Sequence, residues 1–154
     1  PFTAVSITAQ TIVVNLVGLL LTPIQAFTTM IVYILIGLAG LPVFSGGVGG
    51  PGKLFGPTGG YIFSFVLAAV LISLLKKKGT NIVRNCIVTI VVGLPVIYFI
   101  GSVYLYMLTK MGIKAILASA VLPFIPLDIV KCIVASILAK PIKQAVDENY
   151  TSCI

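Results

Sequence analysis

The sequence contains no histidine and no tryptophan, and only 3 of its 154 residues are acidic. Without histidine, neither a His-ligated metal site nor a histidine general base can form. The three cysteines (Cys86, Cys132 and Cys153) form no CxxC pair, and their spacing does not match a metal site. There is also no GxSxG motif of a serine hydrolase. We therefore expect no enzyme activity and no cofactor.

Charge is scarce as well. Charged residues make up 8% of the chain and hydrophobic residues 59%, whereas soluble domains carry about 25% charged residues. Residues 1–52 contain no charge, and neither do residues 54–75, 85–109 and 115–127. A bilayer core of about 30 Å needs about 20 apolar helical residues. The sequence predicts an all-α integral membrane protein, with residues 1–154 as a single transmembrane domain in the lipid bilayer.

Five apolar segments are predicted to be helical, over residues 8–21, 24–38, 57–75, 82–108 and 113–138. Proline interrupts them, because it fixes φ and disfavours helix in the residue before it. Thr22-Pro23 predicts a tight turn between two antiparallel helices, and Gly93-Leu94-Pro95 predicts a kink. Pro123 and Pro126 should break the last segment, so that its final span begins near Leu127.

The basic residues lie at the ends of the apolar segments, although the net charge is +7. That arrangement is typical of loops at a membrane surface, and it does not indicate a nucleic-acid partner. The loop over residues 76–84 holds Lys76, Lys77, Lys78 and Arg84 and is predicted to be cytoplasmic. The loop over residues 41–56 then faces outward.

Glycine is concentrated in one place, since residues 40–61 hold nine of the fifteen glycines. Such a cluster indicates irregular backbone that turns sharply or lets another group approach closely. Residues 47–53 match the first part of a phosphate-binding loop, GxxxxGK. Leu54 stands where that motif needs Ser or Thr to bind Mg²⁺. A nucleotide site is therefore not predicted, and Lys53 is interpreted as an interfacial lysine.

The order of residues in this cluster, Gly-Leu-Pro-Val-Phe-x-Gly-Gly-x-Gly-Gly and then Gly-Pro-Thr-Gly-Gly-Tyr, closely resembles the BioY family. Two further blocks agree, Pro1-Phe2-Thr3 through Ile7-Thr8-Ala9-Gln10 and Pro123 through Lys131. BioY proteins are the membrane-embedded, biotin-specific substrate-binding (S) components of energy-coupling-factor (ECF) vitamin transporters.

The resemblance implies a six-transmembrane-helix S-component fold in a prokaryotic plasma membrane, with a Gly-rich outer lid loop. In that fold one helix precedes Pro1, so we expect the first helix to be missing from this N-terminally truncated chain. The implied function is high-affinity capture of biotin from the outer face and its uptake. The implied partners are a transmembrane coupling subunit and two ATPase subunits.

Asp128 is the strongest candidate site residue, because it is the only acidic residue before Asp147 and lies in an apolar segment. An ionisable group at membrane depth is costly and points to function. Lys131 follows at i+3, on the same helix face. Either the pair only satisfies itself, or Asp128 accepts a hydrogen bond from a ligand N–H while Lys131 meets a ligand anion or keeps Asp128 ionised. Biotin offers both partners, namely two ureido N–H groups and a carboxylate.

The Gly-rich loop and the start of the third helix supply the other candidates. The loop either offers its backbone N–H and C=O groups to a ligand or only fills a packing gap. Thr58 either lines the pocket or only caps the helix, and Tyr61 lines it or acts as an interfacial anchor. The implied biotin-binding residues here are Gly47, Gly49, Gly50, Thr58, Gly59 and Tyr61, and the implied lid or pocket-wall residues are Phe44, Phe55 and Gln10.

Two departures from the family pattern bear on these residues. Some relatives carry an asparagine where Val48 stands and an arginine where Ile62 stands, so this chain must use other groups at those places. Two other functions stay open. One is an S component for a different vitamin, and the other is a secondary transporter of a small vitamin driven by protons through Asp128.

Overall fold

The computed structural model describes residues 9–76 and 81–151, with side chains up to residue 146. In this part of the chain the regular elements are helices, and the β-structure is a single bridge between Phe44 and Val48. The helices are α1 (Gln10–Leu20), α2 (Pro23–Leu38), α3 (Pro51–Leu54), α4 (Gly59–Leu75), α5 (Ile82–Val88), α6 (Leu94–Thr109), α7 (Ile113–Ala120) and α8 (Ile125–Thr151). The predicted block over residues 1–8, the lysines Lys77 and Lys78, and Cys153 lie outside the described residues.

The turn between α1 and α2 is as short as predicted. Thr22 is the N-cap of α2, and its side chain accepts a hydrogen bond from the backbone N–H of Gln25. The Gln25 side chain accepts in return from the backbone N–H of Thr22, completing a capping box. Pro23 takes the first helical position, where a missing N–H costs nothing.

The fourth predicted segment is helical from Ile82 to Thr109, and it is irregular next to the predicted kink at Gly93-Leu94-Pro95. A π-helical turn over Thr89–Gly93 joins α5 to α6. It ends immediately before Leu94 and Pro95, where the proline ring would clash with a regular preceding turn. The wider π-turn accommodates the proline without ending the helix.

The last segment breaks where the prolines predicted, over residues 121–124, and α7 and α8 meet at an angle of 50°. Its end was predicted wrongly, because α8 continues past Leu138 to Thr151 with Pro141 inside it. The residues added are mostly polar, and such residues favour helix well enough once they lie beyond the apolar span. The third helix also begins later than predicted, at Gly59, with Pro57 outside it.

Helix α4 lies at the centre of the bundle and packs against α1, α2 and α6. Its residues Ala68, Ala69 and Ile72 are completely buried. Gly18 of α1 lies against Ile72 so closely that a Cβ there would stand 2.8 Å from the Ile72 side chain. Helix α1 also packs against α8, so that α1 is held between the central helix and the last one.

One described helix, Ile82–Thr109, is long and apolar enough by itself to cross a membrane. The bent pair α7 and α8 (to Val146) passes the same test if it forms one span. Helices α1, α2 and α4 are apolar but shorter, with 11, 16 and 17 residues. Their exposed side chains are largely hydrophobic, as in a protein surrounded by lipid.

Candidate functional site: a polar cleft around Asp128

Asp128 is buried, with 4% of its surface exposed, and it lies in the first turn of α8. Three side chains donate hydrogen bonds to its carboxylate. Lys131 Nζ lies 2.7 Å from Oδ1, Thr11 Oγ1 lies 3.2 Å from Oδ1, and Tyr98 OH lies 2.6 Å from Oδ2. The position near the helix N-terminus also favours a negative charge.

The donors reach Asp128 because three helices meet there. Lys131 is one turn further along α8, Thr11 begins α1, and Tyr98 lies in the first half of α6. The packing of α1 against α8 carries Thr11 to the carboxylate from 117 residues away. The ion pair between Lys131 and Asp128 is the one that the described residues form.

A cleft of about 50 Å³ opens beside Asp128. Its polar wall consists of side chains from α1, the Gly-rich loop, α4, α6 and α8, and its apolar wall is aromatic and aliphatic. The polar residues are Gln10, Thr11, Ser45, Thr58, Tyr61, Tyr98, Asp128 and Lys131, and the apolar ones are Ile62, Phe65, Ile97, Ala120 and Phe124. Convergent polar groups on an apolar wall are typical of small-molecule sites.

Thr58 and Tyr61 both line this cleft. The Thr58 hydroxyl makes no capping hydrogen bond with α4, and its buried Oγ1 has no hydrogen-bond partner among the described residues. A buried hydroxyl without a partner is costly, so this one is available to a ligand. Tyr61 is buried within the bundle rather than at its surface, and its OH donates to the carbonyl of Ala120 at 3.3 Å.

The Gly-rich loop is fixed against the bundle on one side of the cleft. The carbonyl of Val43 accepts hydrogen bonds from Gln10 Nε2 and Tyr33 OH, each at 3.3 Å. Phe44 is 3% exposed, and its ring packs edge-on against Tyr33 and directly on Gly37, where a Cβ would stand 2.1 Å from the ring. Ser45 follows and reaches the cleft.

The remaining predicted residues are not among those that line the cleft. Gly47 and Gly50 turn the loop with positive φ angles of 67° and 95°, which glycine adopts at little cost. Gly49 and Gly59 sit against the carbonyl oxygens of Leu41 and Leu54, where a Cβ would stand 2.2 and 1.8 Å away. These four glycines shape the loop here, and ligand binding by them stays a prediction.

The two predicted lid phenylalanines differ in their surroundings. Phe44 is buried in the core and does not line the cleft, whereas Phe55 is 63% exposed. Of the two positions that depart from the family pattern, Ile62 lines the cleft with an apolar side chain. Val48 is exposed in the loop. The cleft therefore presents hydrocarbon at residue 62.

Sequence reasoning missed Thr11, Ser45 and Tyr98, three polar residues of the cleft. Thr11 directly follows the predicted Gln10, and Ser45 directly follows Phe44, so proximity in the chain was a usable signal. Tyr98 had no such signal, because a tyrosine in an apolar helix is also common at membrane interfaces. Only the tertiary structure shows that its hydroxyl donates to Asp128.

The segment that begins like a phosphate-binding loop has a different role in the structure. Helix α3 has only four residues, and Leu54 at its end is 3% exposed, packed in a core cluster with Ile34, Phe44 and Ile62. The preceding regular element is helix α2, whereas a phosphate-binding loop follows a strand. The side chain at the Mg²⁺ position thus points into the core.

The described helices define an all-helical membrane protein with a polar cleft between them. A family model described as the BioY family matches residues 1–148. The chain belongs to the BioY family, and the predicted family is confirmed.

Two relatives and one solved structure illustrate the similarity. The probable biotin transporter BioY of Pyrococcus horikoshii is 39% identical over 136 residues, which cover 88% of this chain and 79% of that protein. The biotin transporter BioY2 of Lactococcus lactis subsp. cremoris is 32% identical over 150 residues, covering 97% and 82%. The crystal structure of the S-component for biotin from an ECF-type ABC transporter superposes with a TM-score of 0.85 at 28% identity, covering 94% and 78%.

Proposed function

We propose that this chain captures biotin and is the S component of an ECF-type transporter in a prokaryotic plasma membrane. The observation that carries the proposal is its similarity to a solved S-component for biotin over 94% of its length. The relatives are named as transporters, which agrees with the expectation that the chain is not an enzyme. The cleft around Asp128 is the proposed biotin site.

The chemistry of the cleft suits biotin. A ureido N–H donates to the Asp128 carboxylate, and the Lys131 ammonium supplies the charge for the valerate carboxylate or keeps Asp128 ionised. The free hydroxyl of Thr58 serves as a further partner. The apolar side chains of Phe65 and Phe124 cover the sulfur-containing ring and the aliphatic chain.

The Gly-rich loop over residues 41–56 is the proposed lid. The cleft measures about 50 Å³, whereas pockets that enclose small organic ligands measure about 300–1,000 Å³. Biotin therefore enters only if a wall moves, and the loop is the wall with the fewest helical constraints. When the loop opens, the backbone of Gly47, Gly49, Gly50 and Gly59 becomes accessible to the ligand. When the loop closes again, Phe55 covers the bound ligand.

The proposed topology follows the basic residues. The loop over residues 76–84 faces the cytoplasm, and residues 41–56 face outward. ATP hydrolysis is assigned to two partner ATPase subunits, acting through a transmembrane coupling subunit, since the motif at residues 47–53 fails at Leu54.

The first test is calorimetric titration of the purified complete protein with biotin, with desthiobiotin, thiamine and riboflavin as comparison ligands. We expect tight one-to-one binding of biotin and no response to thiamine or riboflavin. A folded sample that ignores biotin, or that prefers another vitamin, would overturn the assignment of the ligand while leaving the family intact.

Transport is tested in proteoliposomes with and without the coupling subunit and ATPases. Biotin accumulation that requires ATP and the partners is the expected result. Accumulation by the chain alone that follows an imposed pH gradient would instead support proton-driven transport through Asp128.

A further inference from the structure

A second and larger opening lies between α6 and α7, on the other side of Tyr98 from the cleft. It measures about 370 Å³, about seven times the cleft. Its walls are apolar almost throughout. The lining residues are Tyr98, Phe99, Ser102, Val103, Tyr106, Ile113, Ile116, Leu117 and Val121. We call this opening the α6–α7 groove.

The groove opens on the side of the helix bundle, away from the bundle core. Phe99 is 72% exposed, and Val103, Ile113 and Leu117 are exposed as well. From Tyr98 to Tyr106 it follows α6 for about 12 Å, at 1.5 Å per residue. Because these helices belong to a membrane protein, the medium that meets the groove is lipid hydrocarbon.

Two lysines stand at one end of the groove. Lys110 directly follows α6, one turn beyond the lining residue Tyr106, and Lys114 lies in the first turn of α7, one turn before Leu117. Both are exposed, and neither takes part in the one ion pair found among the described residues. A surface with hydrocarbon along its length and two cations at its end complements a phospholipid of negative charge.

We propose that the α6–α7 groove binds one anionic phospholipid, with an acyl chain along α6 and the headgroup phosphate between Lys110 and Lys114. The apolar walls give shape but no selectivity, because lipid tails are as apolar as the side chains they replace. Selection between lipids must therefore come from the lysine pair, at roughly fivefold per lysine near a membrane surface. The proposal requires only the membrane position of α6 and α7, so it stands apart from the identity of the transported solute.

The test is competition between two lipids with identical dioleoyl chains, phosphatidylglycerol and phosphatidylcholine. The complete protein is reconstituted in vesicles of the two lipids in equal amounts and released in a mild detergent, and native mass spectrometry counts the lipids retained. We expect one retained lipid per chain, with phosphatidylglycerol preferred by roughly 5- to 30-fold.

Two variants separate the contribution of the lipid headgroup from that of the acyl chain. Lys110→Gln/Lys114→Gln should retain a lipid but lose the preference, while Leu117→Trp should fill the groove and retain neither lipid. Lys53→Gln is the control for charge. Lys53 lies in α3 at the same end of the bundle as Lys110, because Tyr104 OH of α6 donates to the carbonyl of Phe55, the residue after α3. Val91→Trp is the control for bulk, since Val91 is exposed and does not line the groove. Both controls should behave like the wild type.

Three results would overturn the proposal. The first is equal retention of the two lipids by the wild type. The second is a phosphatidylglycerol preference that survives in Lys110→Gln/Lys114→Gln. The third is release of the protein as a dimer without lipid, which would assign the groove to a second copy of the chain. If Leu117→Trp does not fold, the first two results still decide the outcome.

Discussion

At the scale of single residues, Asp128 is held by neighbouring side chains and is also the proposed contact for a ligand N–H. An ionised carboxylate offers about four acceptor positions, and Lys131, Thr11 and Tyr98 occupy three of them. The ion pair suggested by the i+3 spacing is therefore present, and one acceptor position remains on a carboxylate that lines the cleft. A ligand N–H can take the remaining position without breaking the network.

Asp128→Asn tests that position. The amide keeps the shape but loses the charge-assisted hydrogen bond, so biotin affinity should fall by roughly 1.5–3 kcal/mol in calorimetry. Stability should fall too, because Lys131 is left as an unpaired buried charge.

The double variant Asp128→Asn/Lys131→Gln is the matched control, because it removes both charges. It should recover much of the thermal stability but not the affinity. Unchanged affinity in a folded Asp128→Asn protein would remove Asp128 from the list of biotin contacts.

At the scale of elements, the Gly-rich loop combines a fixed and a changeable part. Phe44 is held by Gly37 and Tyr33 in the core, and Val43 is held by two side-chain hydrogen bonds. From residue 46 to Leu54 the loop turns through glycines with positive φ, and the Gly50 N–H donates to the Gly37 carbonyl of α2 at 2.7 Å. A lid fixed at Phe44 and Leu54 must break this hydrogen bond when it moves.

Gly37→Ala should loosen this lid. The new Cβ would overlap the Phe44 ring and force it to move, an overpacking that costs about 1–3 kcal/mol. We expect biotin to dissociate faster from Gly37→Ala, as measured by stopped-flow displacement with unlabelled biotin. Gly52→Ala, in the same loop with open space around its Cβ position, should dissociate like the wild type. Equal rates for all three proteins would argue that the loop is not a lid.

At the scale of the whole molecule, Lys76 links two helices at one end of the bundle. Its Nζ donates to the carbonyl of Leu21 at the end of α1, which Ser73 Oγ also contacts at 2.5 Å. Burial, together with the nearby charge of Lys143 on α8, lowers the pKa of Lys76 to about 8. This residue thus connects α4 to the end of α1 at the end proposed to be cytoplasmic, and it is repelled by Lys143 of α8.

The stability of the protein should respond to pH through Lys76. The unfolded lysine titrates at about 10.5 and the folded one at about 8. Between these two pH values the unfolded chain binds more protons than the folded chain, so the free energy of unfolding should rise with pH. Below pH 8 the lysine is charged in both states, and the full cost of burying that charge is present. Thermal unfolding of the wild type and of Lys76→Met from pH 7.5 to 10 measures the effect. The rise should be absent in Lys76→Met and smaller in Lys143→Gln, and equal pH profiles for wild type and Lys76→Met would contradict the assignment.

The sequence by itself determined the class of the protein and most of its helices. Scarce charge and long apolar runs predict membrane helices, because a helix satisfies its backbone hydrogen bonds in lipid within one segment. Proline positions located the turn at Thr22 and the break before α8, since the effect of proline on the backbone is local. Asp128 and Lys131 were found for a similar reason, as charges rarely occur in apolar segments unless they function.

Only the tertiary structure decided which residues share the cleft. Thr11 and Tyr98 reach Asp128 through helix packing across 117 and 30 residues, and nothing in their local sequence encodes that contact. The same packing turned Phe44 into the core and left the Thr58 hydroxyl without a partner. Local sequence sets backbone preferences, whereas the partners of a side chain depend on which helices pack together, and that follows from the fit of the whole bundle.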